Sequence, residues 1–172
     1  MITEQEKKLI LDLALGKISK DLFLKQYPVD LKNDRSYVLK LFEIAYEQKN
    51  ADVLEYALLI QGYFDEPKDK IITIWRKCLT ENWHHLHEHF VDLLSYYKNP
   101  IDIDLFYQIS LTKFDYRDYD ESESLAVKCI WVLGNIGNQK AIDKLKLLTK
   151  SDNQIIKENA EQQLKRLGQS NI

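Results

Sequence analysis

Four histidines fall within six residues at His84, His85, His87 and His89, with Glu88 among them. Imidazoles and carboxylates at this density suggest metal binding or proton transfer. On a helix, His85 and His89 would share one face, as would His84 and Glu88, the spacing that lets two side chains grip one ion. The order departs from the His-Glu-x-x-His of zinc proteases, and no other segment offers a third ligand. His84, His85, His87 and His89 are therefore the residues that could hold a metal, but the sequence calls for no metal ion or other cofactor. The competing reading gives them structural or contact roles.

A second cluster, Lys113-Phe114-Asp115-Tyr116-Arg117-Asp118-Tyr119-Asp120-Glu121-Ser122-Glu123, interleaves five carboxylates with three aromatic rings. Rings provide contact area at low entropic cost and carboxylates attract cations, so an exposed loop of this kind suits protein recognition. A calcium site would require the EF-hand order and its glycine, and both are lacking. The plainer account makes Ser122 the N-cap of the next helix, with Glu121 and Glu123 facing its positive end and Phe114 and Tyr116 on the core. That account leaves the length and triple aromaticity of the connection unexplained.

The chain carries no Gly-rich phosphate loop, no Gly-x-Ser-x-Gly elbow and no cysteines at metal-binding spacing, so the expectation is a protein that is not an enzyme. Its 172 residues are 45% apolar and 30% charged, the profile of a folded globular protein. Five glycines and three prolines are few for a sandwich or barrel and favour helix. A net charge of −3 lacks the basic excess that phosphate binding needs, which argues against nucleic acid as a partner. Cys78 and Cys129 each sit in an apolar helical pattern and read as reduced core thiols. The charged start, Met1 to Lys8, precedes no adequate apolar run, so a cytoplasmic protein with no membrane span is expected.

Helical spacing positions these clusters. Leu9, Ile10, Leu13 and Ala14 predict a first helix stopped by Gly16, and Ser19 opens a second that Pro28 ends. Tyr37–Tyr46 predicts a third, with Val38, Leu41, Phe42 and Ala45 inward, and Asn50-Ala51-Asp52 restarts a fourth. Gly62 and Pro67 bracket a turn before a helix carrying Ile71, Ile74, Trp75, Cys78 and Leu79. Trp83 to Tyr97 reads as the next, and Asn99-Pro100 closes that pair.

Sliding the chain by 39 positions lays Val91–Asn99 on Ile130–Asn138 and Ile103-Asp104 on Ile142-Asp143, apolar on apolar. A period of this size in paired helices is the mark of a solenoid. The alignment assigns Leu86, Phe90, Leu93, Leu94 and Tyr97 to the core, matching Leu125, Cys129, Val132, Leu133 and Ile136, and places all four histidines off that stripe. It sets Trp131 one step off the stripe, opposite Asp92, where it is either a contact hot spot or a filler against a neighbouring helix.

The segment Ser124–Ile142, with Leu133-Gly134-Asn135-Ile136-Gly137 followed by Ala141-Ile142, resembles the HEAT-like repeat of the phycobilisome-lyase type. Val132 stands where that family usually has Ala, and Ala126 where it often has Arg. The likeness spans about residues 85–167. With Trp83-His84-His85-Leu86-His87-Glu88 and Lys128-Cys129-Ile130-Trp131, the chain also resembles small bacterial HEAT-repeat proteins, several of them immunity proteins that neutralise toxins. The resemblance implies one all-α domain over residues 1–172: a cap over 1–33 and stacked helix pairs over 37–168, about 8 to 10 helices in all. It implies a monomeric, cytoplasmic binder of a basic toxin domain. The expected partner-facing residues are Asp92, His87, Glu88, Asp115, Tyr116, Asp118, Tyr119, Asp120, Glu121, Glu123 and Trp131. The rival readings are a generic adaptor or maturation factor, a HEAT enzyme resembling DNA glycosylases through Trp131 and Asp92, and a metal-dependent enzyme of the histidine segment.

Overall fold

The computed structural model describes residues 2–64 and 68–169, so Pro67 of the expected turn lies outside the described residues. Within them the chain is all-helical: ten α-helices, two short 3-10 turns and no strand. Contacts group it into two compact units, Met1–Lys77 and Cys78–Ile172.

The first unit holds α1 (Glu4–Ala14), α2 (Lys20–Gln26), α3 (Tyr37–Glu47), α4 (Ala51–Ile60) and most of α5 (Lys68–Cys78). Local chemistry fixes their starts. Thr3 and Glu6 form a reciprocal capping box on α1, the Ser19 hydroxyl accepts the Leu22 N–H, and Asn50 accepts the Val53 N–H. Helix α1 packs on α2 and α4, and α3 on α4. Their apolar stripes meet in a core that includes Phe23, Phe42, Leu54 and Ile60, each fully enclosed.

The second unit holds α6 (His87–Tyr97), α7 (Ile103–Ile109, led by a 3-10 turn Pro100–Asp102), α8 (Ser124–Ile136), α9 (Gln139–Leu148) and α10 (Gln154–Arg166). Helix α8 packs against α6, α7, α9 and α10, and α7 also meets α9. The 39-residue offset carries buried positions onto buried positions: His87, Phe90, Val91 and Leu94 onto Ala126, Cys129, Ile130 and Leu133. It also carries Ile103, Phe106 and Ile109 onto Ile142, Leu145 and Leu148. The expected core needs four changes: Leu86, just before α6, Leu93 on α6 and Ile136 at the end of α8 are half-buried, and Tyr97 is exposed. Helix α8 gains cover from four neighbours, so Leu125 and Val132 at the matching positions are buried.

Polar ties join the same helices. Lys128 reaches Asp92 at 2.7 Å and Lys140 reaches Asp104 at 2.6 Å. Gly134 lets α10 approach α8, because a Cβ there would stand 2.3 Å from the Gln163 amide oxygen. Cys78 and Cys129 are free thiols with no exposed surface. Burial pushes the Cys78 pKa up to about 12 and raises that of Cys129 as well.

Gly137 closes α8 in the left-handed region at φ 62°, and the position one repeat earlier, Lys98, closes α6 at φ 45°. A Cβ makes that conformation costly, so Lys98→Gly is expected to stabilise the fold by about 1 kcal/mol. Thermal melting checks it, and an unchanged or lower Tm would show that no strain resides at Lys98.

Candidate functional site

The histidine segment is built differently from a helix. Residues 81–86 are irregular and α6 begins only at His87, so the expected helix from Trp83 does not form and the paired i, i+4 ligand faces are absent. The cause is side-chain capture of backbone groups. The Nε2–H of His84 donates to the Cys78 carbonyl at 2.9 Å, while its Nδ1 accepts the Leu86 N–H at 3.1 Å. The Nε2–H of His87 donates to the Glu81 carbonyl at 2.7 Å, and its Nδ1 accepts the Tyr116 hydroxyl at 2.9 Å. Both rings are spent as neutral imidazoles that knit the connection into α6.

Two of the four histidines therefore belong to the interior, against the expectation that all lie off the core. His84 is 1% exposed and His87 0%, so His87 offers no surface to a partner. Burial lowers both pKa values, that of His87 to about 4, and Arg117 and the neighbouring histidines push His87 the same way. His85 stacks on the Tyr116 ring at 4.3 Å, and His89 is exposed. Among the described residues no three His, Cys, Asp or Glu side chains converge to hold a metal ion.

Phe114 and Tyr116 attach the 110–123 connection to this histidine platform. The Phe114 ring lies 3.8 Å from His87, and Phe114 is buried. Immediately beyond, Arg117 is held by Glu88 at 2.7 Å and by Asp120 and Ser124. Asp120 accepts the backbone N–H groups of Ser122 (3.2 Å) and Ser124 (3.0 Å). Hydrogen bonds from Ser122, Ser124 and Arg117 hold the Asp120 carboxyl well below its ordinary pKa against the cost of desolvation. Burial works against the charged form of Glu88, but bonds from Ser124, Lys128 and Arg117 outweigh it and lower its pKa.

Helix α8 is capped differently from the expectation. Glu123 is the cap residue, in the left-handed region and with no side-chain cap bond, and Asp120 rather than Ser122 receives the N–H of Ser124. The Glu123 carboxylate instead accepts the Asn153 amide at 2.7 Å.

The expected partner-facing residues therefore divide. Asp120, Glu88 and Glu123 are bound internally, His87 is buried, and Tyr116 is half-buried with its hydroxyl engaged. Asp115, Asp118 and Glu121 are exposed, and no ion pair reaches them among the described residues. Tyr119 projects fully, at 79% exposure. Asp92 and Trp131 flank one open groove between α6 and α8 of about 350 Å³, floored by Val91, Val127 and Val132. Trp131 is 39% exposed, one step off the buried stripe as expected. Its indole N–H donates to Asn159 at 3.3 Å and the Arg166 guanidinium lies 5.7 Å from its ring.

Sequence reasoning missed Arg117. A lone Arg among five carboxylates was the available signal, but its partner Glu88 lies 29 residues away. No helix among the described residues is long and apolar enough to cross a membrane. Comparison with protein-family models, with curated proteins and with solved structures finds no match for this chain.

Proposed function

We propose that this chain is a cytoplasmic, non-catalytic protein-binding module, an array of stacked HEAT-like helix pairs that docks a basic protein domain on the loop between α7 and α8. The specific role we favour is that of an immunity protein neutralising a toxin domain. Support for stacking comes from the 39-residue match of buried positions and from the ties between α6 and α8 and between α7 and α9.

One observation carries the binding reading: the loop is fastened from beneath and bare on top. Arg117, Asp120, Tyr116 and Phe114 fix its backbone, while Asp115, Asp118, Tyr119 and Glu121 face solvent. A loop already held in one shape loses little entropy on binding, and an exposed tyrosine ringed by carboxylates suits a cationic surface.

Co-purification of the chain with proteins encoded beside it tests this reading. A partner should be captured at micromolar concentration. The combined change Asp115→Lys, Asp118→Lys, Tyr119→Ala and Glu121→Lys should weaken capture by about tenfold or more while leaving the melting temperature within a few degrees. Capture unaffected by this change would remove the loop from the interface, and failure to capture any neighbour would count against the immunity role.

A further inference from the structure

The α6–α8 groove adjoins the acidic loop through a continuous chain of charges. Arg117 of the loop pairs with Glu88, Glu88 with Lys128 at 3.2 Å, and Lys128 with Asp92 on the groove rim at 2.7 Å. Arg117 is shared between Glu88 and Asp120, and Lys128 between Glu88 and Asp92, while Lys113 lies 3.7 Å from Glu123 and Arg166, beside Trp131, donates to Asn135. Among the described residues, the loop carboxylates Asp115, Asp118 and Glu121 meet no cation, so the exposed top of the loop is negative.

The groove itself is apolar at its floor and has one aromatic wall. Trp131 is braced from α10 by Asn159 and Arg166, so its ring is set in place before any ligand arrives. A fixed, partly exposed indole beside valines is the environment in which buried anchor side chains of a partner contribute most to affinity. The rim carboxylate Asp92 is more than half exposed; Lys128 holds its Oδ2, which leaves Oδ1 to meet an incoming Lys or Arg.

We propose, resting on the reading of the acidic loop as a docking site, that this groove seats one large apolar side chain of the same basic partner. The occupant is a cationic segment carrying a Phe- or Leu-sized anchor flanked by Lys or Arg. The anchor packs on Trp131 and Val127, the adjoining cation pairs with Asp92, and the remaining cations lie over Asp115, Asp118 and Glu121.

NMR titration of the full ¹⁵N-labelled chain with the synthetic peptide Lys-Lys-Phe-Lys-Lys, and with the same peptide carrying Ala for Phe, tests the groove. The Phe peptide should shift the Trp131 indole N–H and the Val127 amide together with loop amides, and the Ala peptide should shift the loop alone. Trp131→Ala should weaken the Phe peptide at least about fivefold, as should Asp92→Lys, an exposed rim change that leaves the core intact. Loop shifts with an unmoved Trp131 for both peptides would overturn the groove and leave the loop reading standing. Trp131 shifts without loop shifts would overturn the loop reading and, with it, the proposal that one partner spans both. No shift at either place with about 1 mM peptide would sink both.

Discussion

Replacing Phe90 with alanine is expected to cost about 3–5 kcal/mol, a large part of the 5–15 kcal/mol that holds a typical domain together. The ring has no exposed surface, sits on the inner face of α6, and packs edge-on against His84 at 5.5 Å. Truncation leaves a cavity beneath the histidine platform and removes a wall of the pocket that keeps His84 neutral. In urea the midpoint should fall sharply with the slope unchanged. Phe90→Leu, which keeps most of the volume, should cost far less, and a loss under about 1 kcal/mol for the alanine variant would refute tight packing at this point.

Acid is expected to have the second largest effect. His84 cannot accept a proton in place, because its Nδ1 already takes the Leu86 N–H and its Nε2–H faces a carbonyl. His87 is buried beside Arg117 and binds a proton only near pH 4, whereas the unfolded chain binds it near 6.5. Between these values the unfolded state holds more protons than the folded one. Stability is therefore full above about pH 6.5 and declines as pH falls towards 4, by roughly 2–3 kcal/mol for His87. Equilibrium unfolding followed from pH 7 to pH 4 measures the slope. His87→Gln should flatten it at some cost in stability at pH 7, and an unchanged slope would show that His87 titrates normally.

The sequence made the all-helical class legible because its helices carry their own signals: the Ser19 and Asn50 caps, and apolar stripes such as Val38, Leu41, Phe42 and Ala45. The 39-residue offset was readable for the same reason, since each helix must bury a stripe in the same phase as its counterpart. What stayed hidden depends on partners remote in sequence. Trp83–Leu86 has helical composition, yet the His84 and His87 rings reach six residues back to the Cys78 and Glu81 carbonyls and break the helix that spacing alone predicts. The acidic loop was visible as composition, but which carboxylates remain outward depends on Arg117, which claims Asp120 and, 29 residues away, Glu88. The position of Trp131 one step off the buried stripe follows from helical phase, a local property, whereas its contacts with Asn159 and Arg166 of α10 do not.

The two enclosed cysteines make the molecule report on its own breathing. Alkylating reagents attack the thiolate, and neither Cys78 nor Cys129 ionises or meets solvent while the helices remain closed. Modification of Cys129 must therefore wait for α8 to part from its neighbours. The rate at which iodoacetamide consumes that sulfur in the native protein serves as a clock for rare openings, independent of any knowledge of what the surface binds.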